Sequence, residues 1–327
     1  MIRVAIVGYG NLGRGVELAL KQNSDMKLVG VFSRREAKSV TVAFDQTQVF
    51  SISDLDKMKS EIDVVVLCGG SATDLPKMTP QLARNFNVVD SFDTHAKIPE
   101  HFVAVDECAR EGGTLALISV GWDPGMFSLN RALGRAILPQ GADYTFWGKG
   151  VSQGHSDALR RIEGVIDARQ YTIPKKEALD KVRAGSDPDL TTREKHSRLA
   201  YVVAEEGANK EAITHEVITM PHYFDEYDTE VVFINAEEMK RNHSALSHGG
   251  TVLRSGKTGI AQENNQIIEY QLHLDSNPEF TASVLVAYAR AAYRLSQEGQ
   301  TGCKTVFDVA PAYLINMGAE DMRAQLL

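Results

Sequence analysis

The sequence predicts an α/β protein with a doubly wound parallel sheet, followed by a second, mixed α+β domain. Short apolar strands alternate with helical spacing over roughly the first 120 residues. Such repeated βα units imply parallel strands joined by right-handed crossovers. Beyond Asp123-Pro124-Gly125, strand-like runs dominate and the alternation ends. The change in pattern is the reason for predicting a second domain.

Five strands are predicted in the first domain, at residues 2–7, 27–33, 62–70, 87–93 and 114–122. The third is a near-continuous apolar run, which is typical of a strand covered on both faces. Helices are predicted between them at residues 12–22, 74–85 and 98–112. Their apolar residues recur at helical spacing, which favours helices packed on the sheet.

The predicted domains are 1–122, completed by a C-terminal segment at about 278–327, and 123–277. Helices are predicted in the second domain at 126–138 and 208–220, and strands at 144–148, 169–173, 199–206 and 229–238. A final helix at 278–297 carries apolar residues at helical spacing. We expect it to return the chain to the first domain.

Composition narrows the classes of function. The chain has 327 residues and a net charge of −8, which disfavours nucleic acid or an acidic membrane as the main partner. Its cysteines, Cys68, Cys108 and Cys303, are far apart, so we expect neither a zinc site nor a disulfide framework. No signal-peptide pattern or membrane-spanning apolar run occurs. We therefore expect a cytoplasmic protein without a metal.

A glycine motif lies between the first strand and the first helix. Its residues fit G-x-G-x-x-G and are Gly8, Tyr9, Gly10, Asn11, Leu12 and Gly13. In this position the glycines allow a tight turn and a close approach of a pyrophosphate to the backbone. The N–H groups at the start of the helix can bind the phosphates. The motif predicts a Rossmann-type dinucleotide site, and a structural glycine turn is the alternative.

The end of the second strand indicates which nucleotide binds. NAD enzymes usually carry an Asp or Glu there for the ribose 2′-hydroxyl. This chain has Ser33, Arg34 and Arg35 instead. Guanidinium groups can bind a 2′-phosphate by charge-assisted hydrogen bonds, which predicts NADP. A pair of solvated arginines is the alternative.

The loops after the third and fourth strands are predicted to line the same crevice. Their candidate cofactor-binding residues are Cys68, Gly69, Ser71, Ala72, Thr73, Ser91 and Phe92. Small residues there let the nicotinamide ribose lie close. Cys68 is interpreted as a small packed residue and not as a nucleophile, because no partner base is visible.

Two aspartates follow the fourth and fifth predicted strands. Asp93 and Asp123 together are candidates for binding a substrate ammonium near the nicotinamide. Either one alone is equally consistent with a helix cap or a braced turn. Trp122 and Trp147 would add apolar walls that exclude water.

The chain resembles the meso-diaminopimelate dehydrogenase family. The resemblance rests on GYGNLGR, FSRR, GSATD, GWDPGMFS, WGKGVSQGHSDALRRI and HGG at 248–250, and it continues through NPEFTAS and VAP near the end. It implies a homodimer that uses NADP to deaminate the D-centre of meso-2,6-diaminopimelate oxidatively and reversibly. The product is L-2-amino-6-oxopimelate, the open form of tetrahydrodipicolinate, in lysine and cell-wall precursor synthesis.

The resemblance also implies roles for individual residues. Asp93 and Asp123 match the carboxylates near the reacting amine. The walls of that centre are Trp122, Met126 and Trp147. The positions lining the substrate are Gln153, Gly154 and Asp157. The group that holds the distal L-amino-acid end is Thr172, Arg198, His248 and Asn265.

Other interpretations remain open at this stage. Arg198 alone is more typical of a surface charge, and His248 before two glycines is typical of a turn. His95 and His101 are interpreted as surface or helix-end residues. A sugar or aldehyde oxidoreductase, or a dihydrodipicolinate reductase, would share the plan, although DSFDTHAK lacks the E-K-P lysine of sugar oxidoreductases. A D-amino acid dehydrogenase of relaxed specificity and a non-enzymatic NADP-binding regulator are further alternatives.

Overall fold

The computed structural model describes all 327 residues, which form two compact units. The first unit comprises Met1–Leu129 and Pro278–Leu327, and the second comprises Asn130–Asn277. None of the helices combines the length and the apolar character needed to cross a membrane.

The strands and helices are numbered in chain order. The strands are β1 Ile2–Val7, β2 Met26–Ser33, β3 Val49–Ser51, β4 Val64–Leu67, β5 Val88–Asp90, β6 Leu115–Leu117, β7 Gly141–Trp147, β8 Gly150–Val151, β9 Val165–Pro174, β10 His196–Ala204, β11 Asp228–Phe233, β12 His248–Thr258, β13 Asn264–Leu274 and β14 Gly302–Lys304. The helices are α1 Asn11–Lys21, α2 Leu75–Ala83, α3 Ile98–Gly112, α4 Met126–Ile137, α5 Gln153–Leu159, α6 Lys176–Arg183, α7 Thr192–Lys195, α8 Lys210–Ile218, α9 Ala236–Asn242, α10 Asn277–Gln297 and α11 Ala319–Leu326.

The first unit contains one parallel sheet in the order β14-β6-β5-β4-β1-β2-β3. The chain starts in the middle at β1, moves outward to β3, and then continues on the other side from β4. This reversal defines a doubly wound sheet, and it places the carboxyl ends of β1 and β4 side by side. Apolar clusters cover both faces. The predicted doubly wound parallel sheet is confirmed.

The second unit contains two sheets. One has the order β11-β10-β9-β8 and the other has the order β13-β12-β7. The pair β10 and β11 is parallel, whereas β9 and β10 are antiparallel. Helices α5 and α8 supply apolar side chains to the core of the first sheet. The predicted mixed α+β character is confirmed.

Several elements differ from the sequence-based prediction. The long hairpin of β12 and β13 was not predicted, because β12 is interrupted by Gly and Arg and β13 is mainly polar. Residues 236–238 were predicted as strand but begin helix α9, where the Asn235 side chain accepts from the Glu238 amide as an N-cap. The edge strands β3 and β14 have only three residues each, too few to show a periodic pattern.

Candidate functional site

The glycine turn joins β1 to α1 in the first unit. Gly10 precedes α1, and the first turn of this helix has neither a side-chain cap nor an acidic residue. A Cβ on Gly13 would collide with the carbonyl oxygen of Gly8, so glycine is required there for α1 to pack closely. A Cβ on Gly10 would meet no heavy atom within 4 Å. The helix N-terminus is therefore open to an anion.

A cavity of about 340 Å³ lies beside this turn. Of the predicted cofactor residues, its lining includes Gly8, Tyr9, Gly10, Ser33, Arg34, Arg35, Cys68 and Gly69. The others lie at the start of α1 or in the loops after β4 and β5; they are Asn11, Leu12, Gly13, Ser71, Ala72, Thr73, Ser91 and Phe92. Burial raises the pKa of the Cys68 thiol, which keeps it protonated and suits a packing role.

Two guanidinium groups belong to this cavity. Arg35 donates to the backbone carbonyl of Tyr9, and its own amide donates to Ser33 Oγ at 3.0 Å. Arg34 is 67% exposed and forms an ion pair of 2.8 Å with Asp74. The other Asp74 oxygen accepts from the Gly70 amide at 2.9 Å. Arg34 is thus a solvated cation at the cavity. An anionic ligand would have to replace the Asp74 carboxylate as its partner.

A buried pair supports the segment next to the turn. The Tyr9 hydroxyl donates to Glu17, which also accepts from the Ala43 amide at 2.9 Å and the Thr47 hydroxyl at 2.5 Å. Burial alone would raise the pKa of Glu17, but hydrogen bonds from Thr47, Tyr9 and the backbone hold it below its usual value. Burial raises the pKa of Tyr9 to about 12. The glycine turn is therefore tied to residues 43–47.

The two candidate catalytic aspartates follow neighbouring strands of the sheet. Asp93 comes after β5 and is exposed, and its amide donates to Ser71 Oγ at 2.9 Å. Asp123 comes after β6 and is half-buried. Trp122 beside it is 8% exposed and packs edge-on against Phe127 at 5.3 Å. Both carboxylates therefore lie on loops at the carboxyl edge of the parallel sheet, where such sheets bind their ligands.

In the second unit, three predicted substrate residues come together on one sheet face. Thr172 in β9 is paired with Gly150 on one side and with Arg198 on the other. The Arg198 Nη1 donates to Thr172 Oγ1 at 3.1 Å. A Cβ on Gly150 would lie 2.5 Å from His248 Cγ, so the His248 ring occupies the place of a Gly150 side chain. Thr229, opposite Arg198 in β11, extends this row, which we call the arginine row.

Arg198 is a buried cation with an unsatisfied donor. It is 6% exposed, its Nε has no hydrogen-bond partner, and its Cζ lies 3.7 Å from the centroid of the Tyr227 ring. Burial lowers the pKa of the guanidinium, and Tyr227 opposes that shift. An arginine remains charged throughout the physiological range. A buried charge with an open donor is suited to a ligand carboxylate.

The orientation of the Thr172 hydroxyl follows from its neighbours. Its oxygen accepts from Arg198 and also from Gln170 Nε2, the latter at 3.3 Å. A hydroxyl oxygen has two acceptor positions and one proton, so both acceptor positions are taken. The proton is then directed to another acceptor. Together with Arg198 Nε, the row offers two donors to an anion.

Two histidines next to the row are uncharged near neutral pH. Burial, followed by the charge of Arg198, lowers the pKa of His155 to about 4. Burial, followed by Lys195 and Arg198, lowers that of His196 to about 4. The Trp147 amide donates to His196 Nε2 at 2.9 Å, and the two rings stack at 5.6 Å. His196 therefore orients Trp147, and neither His155 nor His196 adds a positive charge beside Arg198 near neutral pH.

Comparison with known proteins decides the family. A model described as "Diaminopimelic acid dehydrogenase C-terminal domain" matches residues 121–276, and one described as "Oxidoreductase family, NAD-binding Rossmann fold" matches residues 2–98. The meso-diaminopimelate D-dehydrogenase of Ureibacillus thermosphaericus is 60% identical over 326 residues, spanning 100% of this chain and 99% of that protein. The chain belongs to the meso-diaminopimelate D-dehydrogenase family. The resemblance seen in the sequence is confirmed.

Solved structures agree with this family. The Corynebacterium glutamicum DAP dehydrogenase in complex with DAP is 47% identical, with a TM-score of 0.92 and coverage of 100% of this chain and 99% of that one. An engineered D-amino acid dehydrogenase bound to NADP+ is 45% identical, with a TM-score of 0.86 and the same coverage of 100% and 99%.

The remaining substrate candidates are not part of the arginine row itself. Gln153, Gly154 and Asp157 are exposed on α5, and Asp157 pairs with Arg160. Met126 is half-buried at the start of α4. Trp147, at the end of β7, is 37% exposed.

The structure does not bring Asn265 to the arginine row. Asn265 lies opposite Lys257 in the hairpin of this family member, whereas His248 lies opposite Leu274. The nine residue-to-residue steps from 248 to 257 separate these rungs by about 30 Å along the strand. The exposed Asn265 side chain instead lies against Gly185.

Sequence reasoning missed supporting residues that lie behind the candidate site. His101, interpreted as a surface or helix-end residue, lies in the first turn of α3 but is only 5% exposed and 2.8 Å from Asp90, so the surface part of that interpretation is wrong. The available signal was an aspartate that ends an apolar strand in NVVD. Gln170 and Tyr227 were also missed, because contacts across a sheet and stacking on a loop have no local sequence pattern.

Proposed function

We propose that this protein catalyses the NADP-dependent, reversible oxidative deamination of the D-centre of meso-2,6-diaminopimelate. The products are L-2-amino-6-oxopimelate, which cyclises to tetrahydrodipicolinate, and ammonia. The observation that carries the proposal is Arg198, a buried cation with an unsatisfied donor. A simple amino acid has one carboxylate, near the reacting carbon. A second anion site suits a substrate that is an amino acid at both ends.

The lining of the cofactor cavity suits the phosphate groups of a dinucleotide. Gly10 leaves room for a pyrophosphate at the open N-terminus of α1. Arg34 and Arg35 at the end of β2 favour a 2′-phosphate over a free hydroxyl. In exchanging Asp74 for a phosphate, Arg34 would gain a partner of higher charge. When bound, NADP supplies the hydride acceptor.

Asp93 and Asp123 would act at the reacting end. They bind the substrate ammonium, and one of them takes a proton from it, so that the amine lone pair can assist departure of the hydride. Trp122 and Met126 would exclude water from the reacting carbon until the imine is formed. Water then adds to the imine, and ammonia leaves. The chief contribution of these residues is to hold the D-centre in one orientation.

Thr172, Arg198 and His248 would bind the distal L-centre. Arg198 and the Thr172 hydroxyl donate to its carboxylate. For the asparagine of this group we propose Asn277 in place of Asn265. The Asn277 amide donates to the Leu246 carbonyl at 2.9 Å, two residues before His248. Gln153, Gly154 and Asp157 would line the substrate between its ends.

The two domains would have different functions. The N-terminal domain with the C-terminal segment would bind NADP, and residues 123–277 would bind substrate and form a homodimer. The enzyme would act in the cytoplasm, in lysine and diaminopimelate synthesis. Sedimentation of the purified protein as a dimer at micromolar concentration is the expected result, and a monomer would contradict the homodimer.

The test of the function is a reduction assay followed at the absorbance of reduced nicotinamide. We expect meso-diaminopimelate with NADP to give reduction and ammonia, with much less from the LL isomer and from NAD. Reduction by D-alanine and D-lysine at similar efficiency would instead indicate a D-amino acid dehydrogenase of relaxed specificity. The engineered D-amino acid dehydrogenase, which is 45% identical to this chain, favours that alternative. No reduction despite NADPH binding would contradict the enzyme function.

The cofactor preference has its own test. Arg34→Ala with Arg35→Ala should raise the KM for NADP about 100-fold, because two charge-assisted contacts to the 2′-phosphate are lost. The KM for NAD should change little. The matched control is Arg84→Ala, which removes an exposed arginine paired with Glu111 in the same unit. Unchanged NADP kinetics in the double variant would contradict the assignment.

A further inference from the structure

A buried polar cluster lies behind the loops that carry Asp93 and Asp123. At its centre is Asp90, the last residue of β5, which is fully buried. One of its carboxylate oxygens accepts from the Thr79 hydroxyl at 2.7 Å and from His101 Nε2 at 2.8 Å. Both donors come from helices, Thr79 from α2 and His101 from α3.

The other oxygen of Asp90 joins two loops. It accepts from the Phe92 amide at 3.0 Å and from the Ser119 amide at 2.9 Å. Phe92 immediately precedes Asp93, and Ser119 leads into the loop of Asp123. The Asp90 carbonyl also accepts from the Val120 amide at 2.9 Å. A single carboxylate therefore fixes the backbone of both loops.

Backbone strain supports a role for the second of these loops. Ser119 has φ of 56°, which non-glycine residues seldom adopt, and its buried hydroxyl has no partner. Such a conformation persists only where the surroundings enforce it. The hydrogen bond to Asp90 is the enforcing contact on the Ser119 amide. His101 stacks on Phe92 at 4.2 Å and so restrains the first loop as well.

Apolar side chains of similar size often hold a core as well as a buried polar network does. They cannot accept from two backbone amides, as Asp90 does for the two loops. We propose that His101, acting through Asp90, is a positioning residue that sets the spacing of Asp93 and Asp123, an inference that rests on the function proposed above.

The experiment compares two substitutions of His101 with a control on the same helix. His101→Phe keeps a ring on Phe92 and removes the donor to Asp90, whereas His101→Gln keeps a donor. The control is Asp106→Asn, which weakens the contacts of α3 to the Cys303 amide and Arg110. For each protein the kcat, both KM values, the Tm, and the isotope effect with substrate deuterated at the D-carbon are measured.

We expect His101→Phe to lower kcat about 10- to 100-fold, since small misplacements of reacting groups have effects of this size. The KM for NADP should stay unchanged and the isotope effect on kcat should rise. His101→Gln should recover most of the turnover. Asp106→Asn should lower the Tm without changing kcat. If His101→Phe fails to fold, the nearly isosteric Thr79→Val, which removes one donor to the same oxygen, should show a smaller loss of kcat.

If His101→Phe, or Thr79→Val as its substitute, lowers the Tm but keeps the wild-type kcat and isotope effect, the positioning role is overturned. The proposed function would not be affected by that result. A wild-type protein that does not reduce NADP with meso-diaminopimelate would overturn the proposed function, and the positioning role with it. The two failures are therefore distinguishable.

Discussion

The cluster around Asp90 in the first unit and the arginine row in the second unit are both buried and polar, but they differ in how far their groups are satisfied. Asp90 accepts hydrogen bonds on both carboxylate oxygens from side chains and amides of its own unit. In that cluster only the Ser119 hydroxyl is buried without a partner. In the arginine row the open donor is on a charged group, Arg198 Nε, and Gln170 Oε1 and Thr229 Oγ1 also have no partner. A satisfied polar network rigidifies a scaffold, whereas a buried charge with an open donor is suited to an anionic ligand.

The largest expected effect concerns the loops that the Asp90 cluster supports. Asp123→Asn should reduce kcat about 1000-fold, as expected when a group that takes up a proton is lost. NADPH binding, followed by fluorescence titration, should be unchanged. Asp54→Asn serves as the control, because Asp54 is a carboxylate of the same unit paired only with Lys57. Near-normal turnover in Asp123→Asn would remove Asp123 from the mechanism.

A smaller effect is expected within the arginine row. Thr172→Val removes a donor to the ligand and leaves Arg198 and Gln170 without their acceptor. The KM for meso-diaminopimelate should rise about 10-fold or more, the usual consequence of unpaired buried groups. Thr172→Ser, which keeps the hydroxyl, should stay close to wild type. Equal KM values in the Val and Ser variants would show that the hydroxyl has no part in binding.

The smallest expected effect concerns the neutral histidines beside the row. The pKa of His196 is about 4 in the folded protein and 6.5 in the reference state, so the unfolded chain binds its proton first as the pH falls. The free energy of unfolding should therefore decrease between pH 6.5 and pH 4 and level off below that. His196 accounts for roughly 3 kcal/mol of this decrease in the free energy of unfolding.

Urea unfolding at several pH values measures the contribution of His196 to the free energy of unfolding. His196→Gln should flatten the decrease, while His155, with a similarly lowered pKa, still contributes in that variant. His155→Gln gives a second, matched comparison. An unaltered pH slope in both variants would contradict the conclusion that His155 and His196 are uncharged near neutral pH in the folded protein.

The sequence predicted the first unit better than the second, for a physical reason. A doubly wound sheet is built from local βα units, so its strands β1, β2 and β4 and the glycine turn have strong periodic and motif signals. The hairpin of β12 and β13 is stabilised by pairing across the sheet, and its polar outer strand has no comparable signal. The prediction of a strand over 236–238 failed because an N-cap at Asn235 overrode the apolar run before it.

The candidate site shows the same limit. The sequence motifs were sufficient to identify Thr172, Arg198 and His248, which the structure brings together around Gly150. They were not sufficient to place the asparagine of this group at Asn265, because the register of Asn265 within the hairpin depends on the length of the turn. The groups that orient these residues, such as Tyr227 and Asp90, act through contacts between distant segments. Such contacts become visible only in the folded chain.

The central claim is that chemistry and recognition are divided between the two regions. It is tested most directly by the ratio of kcat/KM for meso-diaminopimelate to that for D-alanine, in wild type and in Arg198→Met. D-alanine has no distal carboxylate, so the ratio should fall about 100-fold, entirely through the value for meso-diaminopimelate. Arg183→Met, at an arginine paired with Glu269 in the same unit, should leave the ratio unchanged. Equal losses for both substrates in Arg198→Met would contradict the division, because Arg198 would then support the reaction or the fold and not the recognition of the distal end.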